Sequence, residues 1–133
     1  MTPLEFAKAK LKSHKACLFT RRGHLLWRSP AWNPDGRDFT AAENARVAGT
    51  GWHEFIDAED LPSVLHWLAA ADCQRCVIFR CMHSSAGTTH RLLWRKAELD
   101  AGHWIVLSAD ITELERERDV KSRAACGMTR WRW

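Results

Sequence analysis

Four side chains able to bind metal or do redox chemistry crowd one stretch of the sequence: Cys73, Cys76, Cys81 and His83. Cys73-Gln74-Arg75-Cys76 is a CxxC, a spacing used by redox dithiols and by zinc ligands. A redox pair needs a depressed thiol pKa, usually supplied by a helix N-terminus. Here the pair follows an expected helix, where the dipole has the opposite sign. Reach excludes a shared metal. If residues 75–83 form a strand, Cys76 and His83 stand ~23 Å apart at ~3.3 Å per residue. Zinc bonds are ~2.3 Å long. No metal is assigned. The five cysteines, an odd number at irregular spacing, read as reduced thiols of a cytoplasmic protein.

Other reactive types do not assemble into a catalytic set. His53 and Glu54 are neighbours in sequence, which does not make them an acid–base pair in space. There is no phosphate-binding loop and no nucleophile–base spacing, so no enzymatic activity is expected. Asp110 and Thr112 are better placed. Thr112-Glu113-Leu114-Glu115 reads as a capping box at the start of a charged helix that stops at Gly127. Favourable i,i+4 pairs, Glu117–Lys121 and Asp119–Arg123, lie along that helix.

The elements that position these residues follow from pattern. Thr2-Pro3-Leu4-Glu5 is a capping box with proline in the first turn, opening a helix over 3–13. Apolar runs at 16–20 and 24–28 flank Arg21-Arg22-Gly23, a hairpin signal. Asn33-Pro34-Asp35-Gly36 is a turn, and 41–48 a short helix ended by Gly49. Leu61, Val64, Leu65 and Leu68 mark the buried face of a helix to about residue 72. Strands follow at 75–83, 89–99 and 103–109, joined by glycine-bearing turns. Strands adjoin strands, so the sheet is antiparallel and the fold α+β, with intervening helices over one face.

Length and charge bound the rest. The 133 residues amount to one domain, and 46% hydrophobic content excludes a disordered chain. No apolar run approaches the ~18 residues of a membrane span, and no export signal is evident. Residues 1–28 hold seven Lys/Arg against Glu5 alone, residues 29–114 seven against twelve acids, and 115–133 six against three. Solvated terminal helices explain this pattern better than nucleic-acid contact, since no base-reading motif accompanies the charge. Trp131-Arg132-Trp133 is too short a cationic aromatic tail to hold a membrane by itself.

Three motifs, in this order and spacing, resemble a PAS domain of the group with a Trp-rich consensus. The segment from Gly51-Trp52-His53-Glu54 to Asp60 resembles the entry to its long helix. Phe79-Arg80, then Gly87 and Trp94, resembles its central hairpin. Asp110-Ile111-Thr112-Glu113 resembles the motif that closes its last strand and starts an output helix. The chain departs from the pattern at Asp57-Ala58, at Cys81-Met82 and at Ala86. The resemblance implies a five-stranded antiparallel sheet with helices on one face, over 15–112. A cap helix would precede it (1–14), and an association helix and tail would follow (113–133).

It also implies a stand-alone sensory or interaction module, dimeric, with output supplied by a separate protein such as a kinase. A pocket could hold a small-molecule ligand, with wall candidates Trp32, Phe39, Trp52, Phe55, Leu65, Leu68 and Phe79. The same residues would equally serve as a packed core, which is the ligand-free dimerisation scaffold. No cofactor is assigned. A haem ligand on the long helix would be His66, which falls away from the apolar face at ~100° per residue. The Asn-Cys-Arg motif of flavin-adduct domains is missing. Asp110 and Thr112 would couple the sheet to the output helix.

Overall fold

The computed structural model describes residues 1–71, 76–82 and 88–118. Cys73, His83, Gly87 and everything expected beyond residue 118, including Lys121, Cys126, Gly127 and the Trp131–Trp133 tail, lie outside them.

Helix α1 (Pro3–Lys10) starts as its sequence dictates. Glu5 N donates to Thr2 Oγ1, and Thr2 N to Glu5 Oε2. Strand β1 (Ala16–Thr20) turns at Gly23, whose φ of 83° suits a residue without Cβ, into β2 (Leu25–Arg28). A 3-10 turn at Pro30–Trp32 leads to α2 (Ala41–Val47). A second capping box, Thr40 with Glu43, opens α2; it was not read from sequence. A 3-10 segment, Gly51–Phe55, precedes α3 (Leu61–Ala69). Strands β3 (Cys76–Met82), β4 (Thr89–Asp100) and β5 (His103–Asp110) complete the sheet.

All neighbours are antiparallel, in the order β2-β1-β5-β4-β3. The first hairpin therefore docks beside the last strand, with Ala16 opposite Leu107 and Phe19 opposite Trp104. This is the α+β, five-stranded antiparallel architecture expected from the sequence.

Strand alternation divides the core in two. Phe19, Phe79, Leu92, Trp94, Trp104 and Val106 face α2 and α3 in the main core. Leu18 and Ile105, one residue out of phase, point the other way and are covered by Ala7 and Leu11 of the N-terminal segment. Helix α1 thus caps the outer face, while α2 and α3 cover the inner one.

Two helix readings change. Helix α1 ends at Lys10, three residues short of the expected 13. Helix α3 ends at Ala69, three residues short of its expected end, and buries Val64, Trp67 and Leu68; Leu61 and Leu65 are only partly buried. The shortening has a visible cause. Lys96, on the inner side of β4 and only 4% exposed, donates from Nζ to the carbonyls of Trp67 and of Ala70, the latter at 2.6 Å. A cation on the last carbonyls satisfies groups left orphaned by the helix and suits its dipole.

Candidate functional site

The junction between β5 and the exit helix (112–118) is built from β5 and its neighbour β4. Asp110 is the last residue of β5. Its Oδ1 accepts the Thr112 amide at 2.9 Å and the Thr112 hydroxyl at 2.6 Å. Its Oδ2 lies 2.8 Å from His90 Nδ1 on β4, and His90 Nε2 lies 3.1 Å from Thr88 Oγ1. Thr112 Oγ1 accepts the amide of Arg91 at 2.9 Å, and Ile111 donates its amide to the Arg91 carbonyl at 2.9 Å. Arg91 Nε stands 3.0 Å from Glu115 Oε2, one turn along the helix. Burial pushes the Asp110 carboxyl up, but the bonds from Thr112 and His90 outweigh it and hold it below the usual range.

This corrects the capping box expected at Thr112. Glu115 N donates to the Ile111 carbonyl, so Thr112 already occupies the first helical position. Asp110 takes the orphan amide of Thr112 instead. The hydroxyl freed from capping bridges Asp110 to the main chain of β4. The sequence placed the right residues at the junction and exchanged their roles.

Two of the sequence motifs interlock at the β3 edge, where Arg80 stands opposite Arg91 of that junction. Arg80 on β3 binds Asp60 at the start of α3 through Nε at 3.0 Å and Nη2 at 3.2 Å, and its amide adds a bond of 2.8 Å. Asp57 and Glu59 lie 3.3 and 3.4 Å from the same Nη2. The Arg80 side chain is the main cause holding Asp60 below the ordinary carboxylate range. Asp60 precedes α3 without capping it by its side chain; its carboxylate serves Arg80.

The seven wall candidates are not equivalent. Trp52, Leu68 and Phe79 are buried in the main core, with Trp32, Phe55 and Leu65 packed against it. Phe39 stands apart, its ring beneath the Arg28 guanidinium at 3.5 Å. Trp32 donates from Nε1 to the Ala16 carbonyl at 3.1 Å, and Trp52 to that of Gly23 at 2.9 Å. Between sheet and helices the centre is occupied by rings. Trp94 lies 4.7 Å from Phe79, 5.6 Å from Phe19, 5.8 Å from Trp52 and 6.4 Å from Trp67, centroid to centroid.

A haem or flavin does not fit these residues. A planar group between sheet and α3 would displace the rings around Trp94, and His66 on α3 is exposed. His53 is no acid–base partner for Glu54. Its ring meets Trp52 edge-on at 4.5 Å, its Nε2 is buried without a bond, and burial beside His24 pushes its pKa down. Cys76 is exposed, whereas burial pushes the Cys17 thiol up to about 12 and the Cys81 thiol to about 11. Among the described residues no group of His, Cys, Asp and Glu is arranged to hold a metal.

Sequence reasoning missed His90, Arg91 and Lys96, and read Glu115 as a capping residue where it pairs with Arg91. Only Lys96 left a signal: it continues the inward phase of Leu92 and Trp94, where a lysine must find partners.

No protein-family model and no curated protein matches the chain. Among solved structures, an RNA-binding light-oxygen-voltage receptor is similar over 92% of this chain, at 18% identity and a TM-score of 0.60. The chain spans 36% of that receptor's length. With the strand order and the flanking helices, this likeness establishes that the chain has a PAS/LOV-like fold.

Proposed function

We propose that the chain is a sensory and interaction module that works by associating with a second copy of itself, passing that contact to the exit helix through Asp110 and Thr112. The observation that carries the reading is the outer face of the sheet. Ile78 stands opposite Leu93, and Leu93 opposite Ala109, across three strands. Ile78 and Leu107 are 46% and 41% exposed. A contiguous apolar face left open to water marks an association surface. Arg91 is two residues from Leu93 and so on the same face. A copy seated on this row reaches the Arg91–Glu115 ion pair, and with it the exit helix.

The ring-filled centre supports a signal carried by packing rather than by a bound chromophore. RNA binding is a property of the similar receptor, and no base-reading motif in this chain argues for it.

Light scattering across a micromolar concentration range tests the reading. The expected result is a dimer that Ile78→Asp with Leu107→Asp converts to a folded monomer. A monomer at every concentration, or a dimer indifferent to both changes, overturns it.

A further inference from the structure

A groove of about 740 Å³ runs along the β2 edge of the sheet, apart from both the ring-filled centre and the outer apolar row. Its floor is β2, an edge strand whose outer side is bridged at Leu25–Gly49. One wall is a line of side chains, Leu4, Lys8 and Lys12, spaced one helical turn apart on α1 and the residues just after it. The other is the small-residue line Ala41, Ala45 and Ala48, running along α2 and ending just past it. Small residues on that wall let a second backbone come close to β2.

Two large apolar side chains in the groove are open to water, Leu4 at 38% and Leu26 at 49% exposure. The groove's charges are unbalanced: Lys8, Lys12 and Arg28 against Asp38. Lys8 and Lys12 are exposed and make no ion pair among the described residues. The Arg28 guanidinium is spent on the Glu43 carbonyl and the Phe39 ring, so the two lysines supply the available charge.

We propose that this groove docks an extended peptide segment of a partner protein, with alternating apolar and acidic residues, laid as an added strand beside β2. Gly49 already takes the outward main-chain groups of Leu25, so such a segment pairs along the rest of β2, residues 26–28, and gives alternate side chains to its two sides. Its apolar residues would cover Leu4 and Leu26, and its carboxylates would meet Lys8 and Lys12. A shallow groove along an edge strand suits a peptide better than a small molecule, which needs concave enclosure. The site is distinct from the Ile78–Leu93–Ala109 row, which runs across β3, β4 and β5.

The test uses a short acetylated peptide alternating Val and Glu, its Val/Lys counterpart and decanoate, each titrated into ¹⁵N-labelled protein at low salt. The expected result is saturable binding of the Val/Glu peptide alone, with amide shifts confined to 4–12, 25–28 and 41–48. Lys8→Glu with Lys12→Glu should weaken it roughly tenfold. Ala45→Trp, an exposed change that blocks the wall, should abolish it. Equal binding of both peptides, decanoate binding in place of the peptide, shifts centred on Ile78 and Leu93, or indifference to these variants overturns the proposal.

Discussion

The main-chain amide of Arg91 on β4 donates to the hydroxyl of Thr112 across 2.9 Å, so the exit helix is keyed to a strand it does not follow in sequence. The hydroxyl also donates to Asp110 on β5. One side chain therefore joins two strands and the first turn of a helix. Any change in how β4 and β5 lie against each other reaches that turn directly.

Thr112→Val removes both bonds while keeping the shape. It should cost about 1–2 kcal/mol, since the Arg91 amide loses its partner. Amide exchange in 113–118 should quicken while that of β1 stays unchanged. Unchanged exchange in 113–118 would contradict the keying.

Stability should fall as acidification passes below the ordinary carboxylate range. Asp60 and Asp110 are both held below their usual value. A depressed carboxyl contributes stability that is fully present above the unfolded value of about 3.9 and lost as pH falls through the folded one. Urea denaturation from neutral pH to pH 2 should show this loss, and Asp60→Asn should lower stability at pH 7 and flatten the acid limb. An acid limb unaltered by Asp60→Asn would contradict the Arg80–Asp60 link.

The mutual position of motifs was more legible in the sequence than the job of each residue within them. Residues 75–83 and 89–99 were legible as strands joined by glycine-bearing turns, but not which of their side chains face inward. The Thr2–Glu5 spacing fixed α1. Trp67 was left off the buried face of α3, although it stands three residues after Val64 and beside Leu68, because the stripe was drawn through Leu61 and Leu65. The Thr112 role could not be read because its competitor for the amide, Asp110, and its second partner, Arg91, meet it only through strand pairing. Phe39 follows an irregular stretch without a period, so nothing in sequence tied it to Arg28.

Lys96→Met keeps the apolar stem and removes the ammonium that ends α3. A cost of about 1–3 kcal/mol is expected from the carbonyls of Trp67 and Ala70 left without their donor. Urea melts of the two proteins measure it. A more stable variant would contradict the capping role.

Gly51 sits where a Cβ would overlap the Arg46 carbonyl oxygen. Gly51→Ala must open the connection between α2 and the 3-10 segment. A loss of about 1–3 kcal/mol is expected in the same melts; a neutral change would mean that the backbone gives way freely.

The ring-filled centre is the claim on which signalling by association depends, and the mass of the purified protein tests it most directly. Native and denaturing mass spectrometry, recorded beside the absorption spectrum, should show polypeptide mass only and no band beyond that of tryptophan. A small molecule released in stoichiometric amount on denaturation, or a visible chromophore band, would contradict it.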